Sequence, residues 1–215
     1  MTDIEHWPLR NLVLRTPRLE LRPDDDVGLF ELVEVAYRGV HPPEQMPFLV
    51  PWTDGIGQPG FVDGFVAFHR QAREGWHAGH WHLLLGVWAG AELMGTQGLE
   101  ASDFATTRTA ETGSWLGQRY QRRGFGTEMR AAVLELLFRG LGGRVATSSA
   151  LEGNVTSERV SEKLGYVATG DGVAAPRGTP VRERHFRLER DVWEARVRPP
   201  VELVGLEPCL PLFGL

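Results

Sequence analysis

Gln121-Arg122-Arg123-Gly124-Phe125-Gly126-Thr127 lies between an alternating strand pattern, Thr109 to Leu116, and an apolar stripe at helical spacing: Phe125, Met129, Ala132, Val133, Leu136 and Leu137. A strand, a glycine-rich turn and a helix in that order make an anion site. The first-turn amides have no acceptor inside the helix, they point outward, and the helix dipole adds positive potential. Gly124 and Gly126 let phosphate oxygens approach the backbone because no Cβ intervenes. Thr127 adds a hydroxyl, and Arg119, Arg122 and Arg123 add positive charge. Two other phosphate motifs fit poorly: the third glycine of G-x-G-x-x-G falls on Met129, and a P-loop Gly-Lys-Ser/Thr is absent. The bland alternative is an ordinary glycine turn ahead of a helix.

Upstream, Leu12 to Arg22 alternates around Pro17 and predicts one first strand near a sheet edge. Asp24 to Asp26 predict a helix start, with Leu29, Phe30, Val33, Ala36 and Tyr37 as its apolar face. Five prolines between Gly39 and Gly60 predict a long irregular loop. Its His41, Met46, Phe48 and Trp52 either wall an acceptor or acyl pocket or simply anchor the loop. Phe61, Phe65, Phe68 and Ala72 share one helical face, and His80–Val87 with Glu92–Leu99 read as a hairpin turning at Ala89-Gly90. Downstream come a strand at Val145–Ala150, a helix at Thr156–Leu164, and closing strands at Tyr166–Thr169 and Glu183–Leu188.

These elements predict a single α/β (α+β) domain over residues 1–215, with a core at about 12–195. Its sheet is mixed and mainly antiparallel, flanked by helices. The tail 196–215 is Pro-rich but apolar, and is expected to pack on the body or on a neighbouring subunit of a homo-oligomer, a dimer or higher. A formal net charge of −5 argues against a general nucleic-acid binder, which needs a basic face. Cys209 is the only cysteine, which excludes an internal disulfide and a Cys-rich zinc site. The opening carries Asp3, Glu5 and His6 without a long apolar core, and no run approaches the ~20 apolar residues of a spanning helix. A soluble, cytoplasmic chain with no membrane or nucleic-acid partner is expected. His77, His80 and His82 are spaced like metal ligands but lack an evident carboxylate partner in sequence, so no metal is expected.

Gln121-x-x-Gly124-x-Gly126 resembles the acyl-CoA signature of the GCN5-related N-acetyltransferases (GNAT). The fuller stretch Ala110 to Leu116 and Tyr120 to Glu128 is similar to the RimJ/RimL branch, which acylates protein N-termini or small amines. Thr16-Pro17-Arg18-Leu19-Glu20-Leu21-Arg22 and Asn154 to Tyr166 resemble two further blocks of that branch, in the same order. Met46-Pro47-Phe48 and the ending Pro211-Leu212-Phe213-Gly214 also resemble a mycobacterial member linked to succinyl-CoA. The resemblance implies a GNAT fold of about seven strands whose splayed central pair receives acetyl-CoA or succinyl-CoA. It implies that Gln121 and the backbone of Arg122, Arg123, Gly124, Phe125, Gly126 and Thr127 grip the pyrophosphate. It further implies that Trp115 and Leu116 offer main-chain groups to the pantetheine, that Asn154 holds CoA, and that Ser157 lies near the thioester sulfur.

An amine attacks a thioester only when neutral, yet a lysine titrates near ~10.4 and an α-amine near ~8, so a base or a water chain must take a proton. Glu111 is the first candidate, with Asp103 and Glu100 behind it, and Ser157 is the candidate acid for the leaving thiolate. The bland readings are a strand carboxylate paired with an arginine or solvent, and a helix-capping serine. For a succinyl donor, His41, Arg70 and Arg182 are the cations available to its terminal carboxylate.

Overall fold

The computed structural model describes residues 7–23 and 25–215. Asp3, Glu5, His6 and the aspartate at the expected helix start, Asp24, lie outside them. Along the chain run β1 (Val13–Arg15), β2 (Glu20–Pro23), α1 (Asp26–Tyr37), α2 (Phe61–Glu74), β3 (His80–Ala89) and β4 (Glu92–Ser102). There follow a short α3 (Phe104–Thr107), β5 (Thr109–Leu116), α4 (Phe125–Glu135), β6 (Val145–Leu151), α5 (Val155–Leu164), β7 (Val167–Ala174), β8 (Val181–Glu189), α6 (Arg190–Glu194) and β9 (Glu202–Val204). The strands form one sheet in the order β7-β8-β6-β5-β4-β3-β2-β1-β9. Among the described residues only β5 and β6 are parallel, so the sheet is mixed and mainly antiparallel with helices on its faces.

Among the described residues nine strands stand where about seven were expected, for two local reasons. The single strand read across Leu12–Arg22 is a hairpin: Thr16 N–H donates to the Leu19 carbonyl (2.9 Å), and Leu19 N–H to the Thr16 hydroxyl (3.0 Å). Pro17, which has no N–H, fits that turn better than a ladder. The second reason is the tail, whose β9 pairs antiparallel with β1. Beyond it, Cys209 and Phe213 are buried, Phe213 packs on Trp76 and Trp81, and Trp76 Nε1 donates to the Leu212 carbonyl (2.8 Å).

Period-two alternation decides which side chains meet which layer. Trp81, Leu83, Leu85 and Val87 of β3 join Met129, Ala132, Val133 and Leu136 of α4 in the main core. On the opposite face a smaller cluster joins Leu29, Leu32 and Val33 of α1 to Phe65 and Val66 of α2. The helical faces are therefore rotated from the sequence reading: Phe30, Tyr37 and Phe68 are exposed, while Leu32, Val66 and His69 are buried. Asp25 caps α1, its carboxylate accepting from Gly28 N–H (2.8 Å). Among the described residues no helix is long and apolar enough to cross a membrane.

Candidate active site

The site begins where β5 and β6 part. Their pairing runs through Thr109↔Val145, Ala110↔Ala146 and Glu111↔Thr147 and then stops, although β5 continues to Leu116 and β6 to Leu151. Each strand stays with its other neighbour, β5 with β4 and β6 with β8. The sheet thus opens into a fork between two half-sheets, and the open edge of β5 leads into the glycine turn.

At that turn Arg122 (φ 61°) and Gly124 (φ 82°) occupy the left-handed region and turn the chain into α4. Glu128 N–H, donating to the Gly124 carbonyl (3.1 Å), is the first amide of α4 to close a bond, so the amides of Phe125, Gly126 and Thr127 form an unpaired first turn. Arg122 and Arg123 are exposed there, whereas Arg119 pairs with Glu92 (2.9 Å) over the Tyr120 ring. From below, the β1–β2 turn clamps the same helical turn. The carboxylate of Glu128, almost buried, accepts from the Thr16 hydroxyl (2.6 Å), Arg18 N–H (3.1 Å) and Arg18 Nε (2.6 Å). Arg18 also donates to the Arg123 carbonyl (3.1 Å) and lies over the Phe125 ring (4.6 Å). Sequence reasoning missed this clamp. Its signal was the Thr16-Pro17-Arg18 phrase itself, whose partner lies 110 positions away.

Two residues expected to hold the cofactor have side chains already engaged. Gln121 Nε2 donates to the carbonyls of Val40 (2.7 Å) and Leu116 (2.8 Å). The Gln121 side chain is thus a brace between β5 and the loop after α1, and one lone pair of the Leu116 carbonyl is taken by it. Asn154 is the N-cap of α5: Oδ1 accepts from Ser157 N–H (3.2 Å), while Nδ2 reaches the Pro47 carbonyl (3.4 Å). Both are positioning contacts. Together they carry the loop 39–60 from Gln121 across to the start of α5, where Ser157 is half-buried.

That loop supplies an aromatic wall. His41 lies 5.6 Å from Phe48, Phe48 5.3 Å from Trp52, and Trp52 5.3 Å from Trp115, between ring centres. Arg177, at the turn between β7 and β8, latches the loop from the far side through both carboxylate oxygens of Asp54 and the Pro43 carbonyl (3.1 Å). Met46 is half-buried in the same loop. Glu111 and Gly113 share the Trp115 face of β5, and a Cβ placed on Gly113 would meet no heavy atom within 4 Å. The floor between Glu111 and the aromatic wall is open.

Glu111 is the last residue of β5 paired with β6. Glu111 reaches the surface, but partial desolvation at the strand junction, then the neighbouring Glu100 and Glu183 carboxylates, push its pKa above the ordinary carboxylate value, with His185 opposing them. No arginine pairs with it among the contacts of the described residues. Glu100 is also the carboxylate that the histidine reading lacked: His80 and His82 each approach it at 3.8 Å. Among the described residues no three potential ligands gather at a metal-binding distance. Asp103 stands at the N-terminal end of α3 at φ 48°. The cations considered for a succinyl carboxylate are occupied: Arg70 by Asp26 (2.6 Å), Arg182 by Asp171 (2.6 Å), and both His41 nitrogens by the Pro42 carbonyl and the Thr53 hydroxyl. Arg70 instead lines a surface cavity of about 380 Å³ between α1 and α2.

Residues 13–167 match the acetyltransferase (GNAT) domain. The chain belongs to the GNAT acetyltransferase family. Among solved GNAT structures, RimL, a ribosomal L7/L12 alpha-N-protein acetyltransferase in complex with coenzyme A, superposes with a TM-score of 0.67 at 15% identity, over 84% of this chain and 99% of that one. Mycobacterium smegmatis RimJ, in complex with a CoA disulfide, gives 0.66 at 15% identity over 95% of each chain. The microcin C7 self-immunity acetyltransferase MccE, in complex with acetyl-CoA and AMP, gives 0.63 at 15% identity, over 80% of this chain and 93% of that one. At such identities these neighbours share the GNAT fold with the chain, including the sheet into which the fork is built.

Proposed function

We propose that this GNAT chain moves an acetyl group from acetyl-CoA to a primary amine, either a protein N-terminus or a small-molecule amine, by direct attack. One observation carries the reading: the one parallel strand pair among the described residues opens into a fork beside an unpaired helical turn flanked by the exposed Arg122 and Arg123. A pyrophosphate suits the first-turn amides of Phe125, Gly126 and Thr127, and an extended pantetheine suits the open edge of β5. The amine would enter over Gly113, between Glu111 and the wall of His41, Phe48 and Trp52. Glu111 takes its proton, the nitrogen bonds to the thioester carbon, the C–S bond breaks, and Ser157 gives a proton to the departing thiolate. Positioning of both substrates and polarisation of the carbonyl by main-chain N–H groups supply the rest of the acceleration.

A protein α-amine as acceptor finds support in RimL, which is named for that acceptor. Succinyl-CoA is the second donor, favoured by the Met46-Pro47-Phe48 loop and the tail. It would need Arg70, Arg182 or His41 to leave its present partner. A non-catalytic acyl-CoA sensor is the reading from another class.

Titration calorimetry with acetyl-CoA and succinyl-CoA tests the donor. A Cβ on Gly126 would meet only Val160, at 3.7 Å, so Gly126→Ala should fold normally while crowding the phosphate, and Gly126→Trp should abolish binding. Micromolar binding lost in Gly126→Trp supports the site; no binding of either donor refutes it. Binding without thiol release across a panel of amines would identify a sensor.

A further inference from the structure

We propose that three buried hydroxyls, on Thr112, Ser148 and Tyr166, fix the depth of the fork between β5 and β6 and so position the pantetheine arm of the donor; this rests on the acyl-CoA reading above. Main-chain pairing stops at Glu111↔Thr147 although both strands continue. In an unbroken parallel ladder the next carbonyls would take amides of the facing strand. Here they take side chains instead. The Thr112 hydroxyl donates to the Thr147 carbonyl (3.2 Å), and the Ser148 hydroxyl donates back to the Thr112 carbonyl (3.4 Å). These bonds are reciprocal, each strand placing a hydroxyl on the other's main chain just past the last pair. A hydroxyl interposed between two backbones holds them wider than the ~4.8 Å of a ladder.

Tyr166 completes the staple. Its hydroxyl lies 3.2 Å from Thr112 Oγ1. Because the Thr112 proton is committed to the Thr147 carbonyl, Tyr166 is the donor in this contact. All three residues are at most 4% exposed, so water cannot replace a lost partner cheaply. Tyr166 N–H donates to the Ser161 carbonyl (3.0 Å), and the Ser161 hydroxyl to the Ser157 carbonyl (3.2 Å). Arg130 of α4 donates to that same Ser161 hydroxyl (2.8 Å). The fork, the first turn of α5 and the pyrophosphate-bearing helix are therefore joined through one buried polar network. Thr112, Ser148 and Tyr166 are positioning residues, acting on the donor through the backbones they hold apart.

The test compares two probes on the purified chain: CoA, and 3′-phospho-ADP, which carries the nucleotide and pyrophosphate without the pantetheine. Ser148→Ala, which loses one buried hydrogen bond, should weaken CoA about tenfold, Thr112→Val, which loses two, should weaken it at least as much, and both should leave 3′-phospho-ADP within about twofold. Thr112→Ser, which keeps the hydroxyl, should restore CoA binding. Leu14→Ala, in β1 at the far side of the sheet, serves as the control: it should lower Tm without changing the ratio of the two affinities. If Thr112→Val does not fold, Ser148→Ala and Tyr166→Phe carry the comparison. Unchanged CoA affinity in the folded variants, or equal weakening of both probes, overturns the inference while wild-type CoA binding keeps the acyl-CoA reading. Failure of the wild-type chain to bind CoA overturns both.

Discussion

Glu111 shows how one side chain takes its chemistry from its place in a strand. It closes the β5–β6 pairing and faces the open floor at Gly113, with Glu100 across the ladder on β4. Partial desolvation and two neighbouring carboxylates raise its pKa, which suits a base that must accept a proton from an ammonium near neutral pH. Glu111→Gln should lower kcat by about 10²–10⁴-fold with acetyl-CoA affinity unchanged. The acid limb of the wild-type pH–rate profile should lie above the ordinary carboxylate range and vanish in the variant. The same raised pKa has a stability sign: the folded state holds the proton more tightly, so the contribution is present below the unfolded pKa near 4.5 and is lost as pH rises through the folded one. Denaturant titrations of Glu111→Gln should show that part of the pH dependence removed. Gln121 and Asn154 teach the converse. Their amides hold neighbouring carbonyls and an open helix end, so any contact with the donor is added to a bracing role.

At the scale of elements, what matters is how short loops aim α4. Thr16 and Arg18 hold Glu128 one turn into the helix, and Arg18 also holds the Arg123 carbonyl inside the glycine turn. Glu128 is nearly buried whereas Arg18 is half exposed, so the loss falls mainly on the buried carboxylate and its donors. Glu128→Ala should destabilise the chain by about 2 kcal/mol in urea titrations and weaken acetyl-CoA binding as the turn loosens. Equal affinity in the folded variant would show that the turn holds its shape without the clamp. The Arg177–Asp54 latch is different in kind. Both partners are solvent-exposed, so its contribution to global stability is small, and its effect belongs to the placement of the aromatic loop.

Over the whole molecule, the sheet separates two clusters of unequal size, and the smaller one carries a pH liability. His69 is buried in α2 beside Phe65 and Phe68, and burial first, then the Arg73 and His82 charges, lower its pKa to about 4. The unfolded chain takes up that proton near 6.5 while the folded chain resists it, so stability is full above 6.5 and falls as pH drops toward 4, by up to about 3 kcal/mol. Thermal scans from pH 7 to pH 4 should show this loss, and His69→Leu should flatten it. The sequence by itself determined the glycine turn between strand and helix, the α5 block, the irregular loop and the mainly antiparallel sheet. Each is dictated by residues adjacent in the chain, through periodicity, φ preference and the missing N–H of proline. Only the tertiary structure decided that the first strand is a hairpin gripping Glu128, that the tail adds β9, that Phe30 and Phe68 face outward, and where the fork stops. Those outcomes depend on partners tens of residues away, such as Thr112 with Thr147 and Tyr166, and a hydrogen bond between distant residues leaves no period in the sequence.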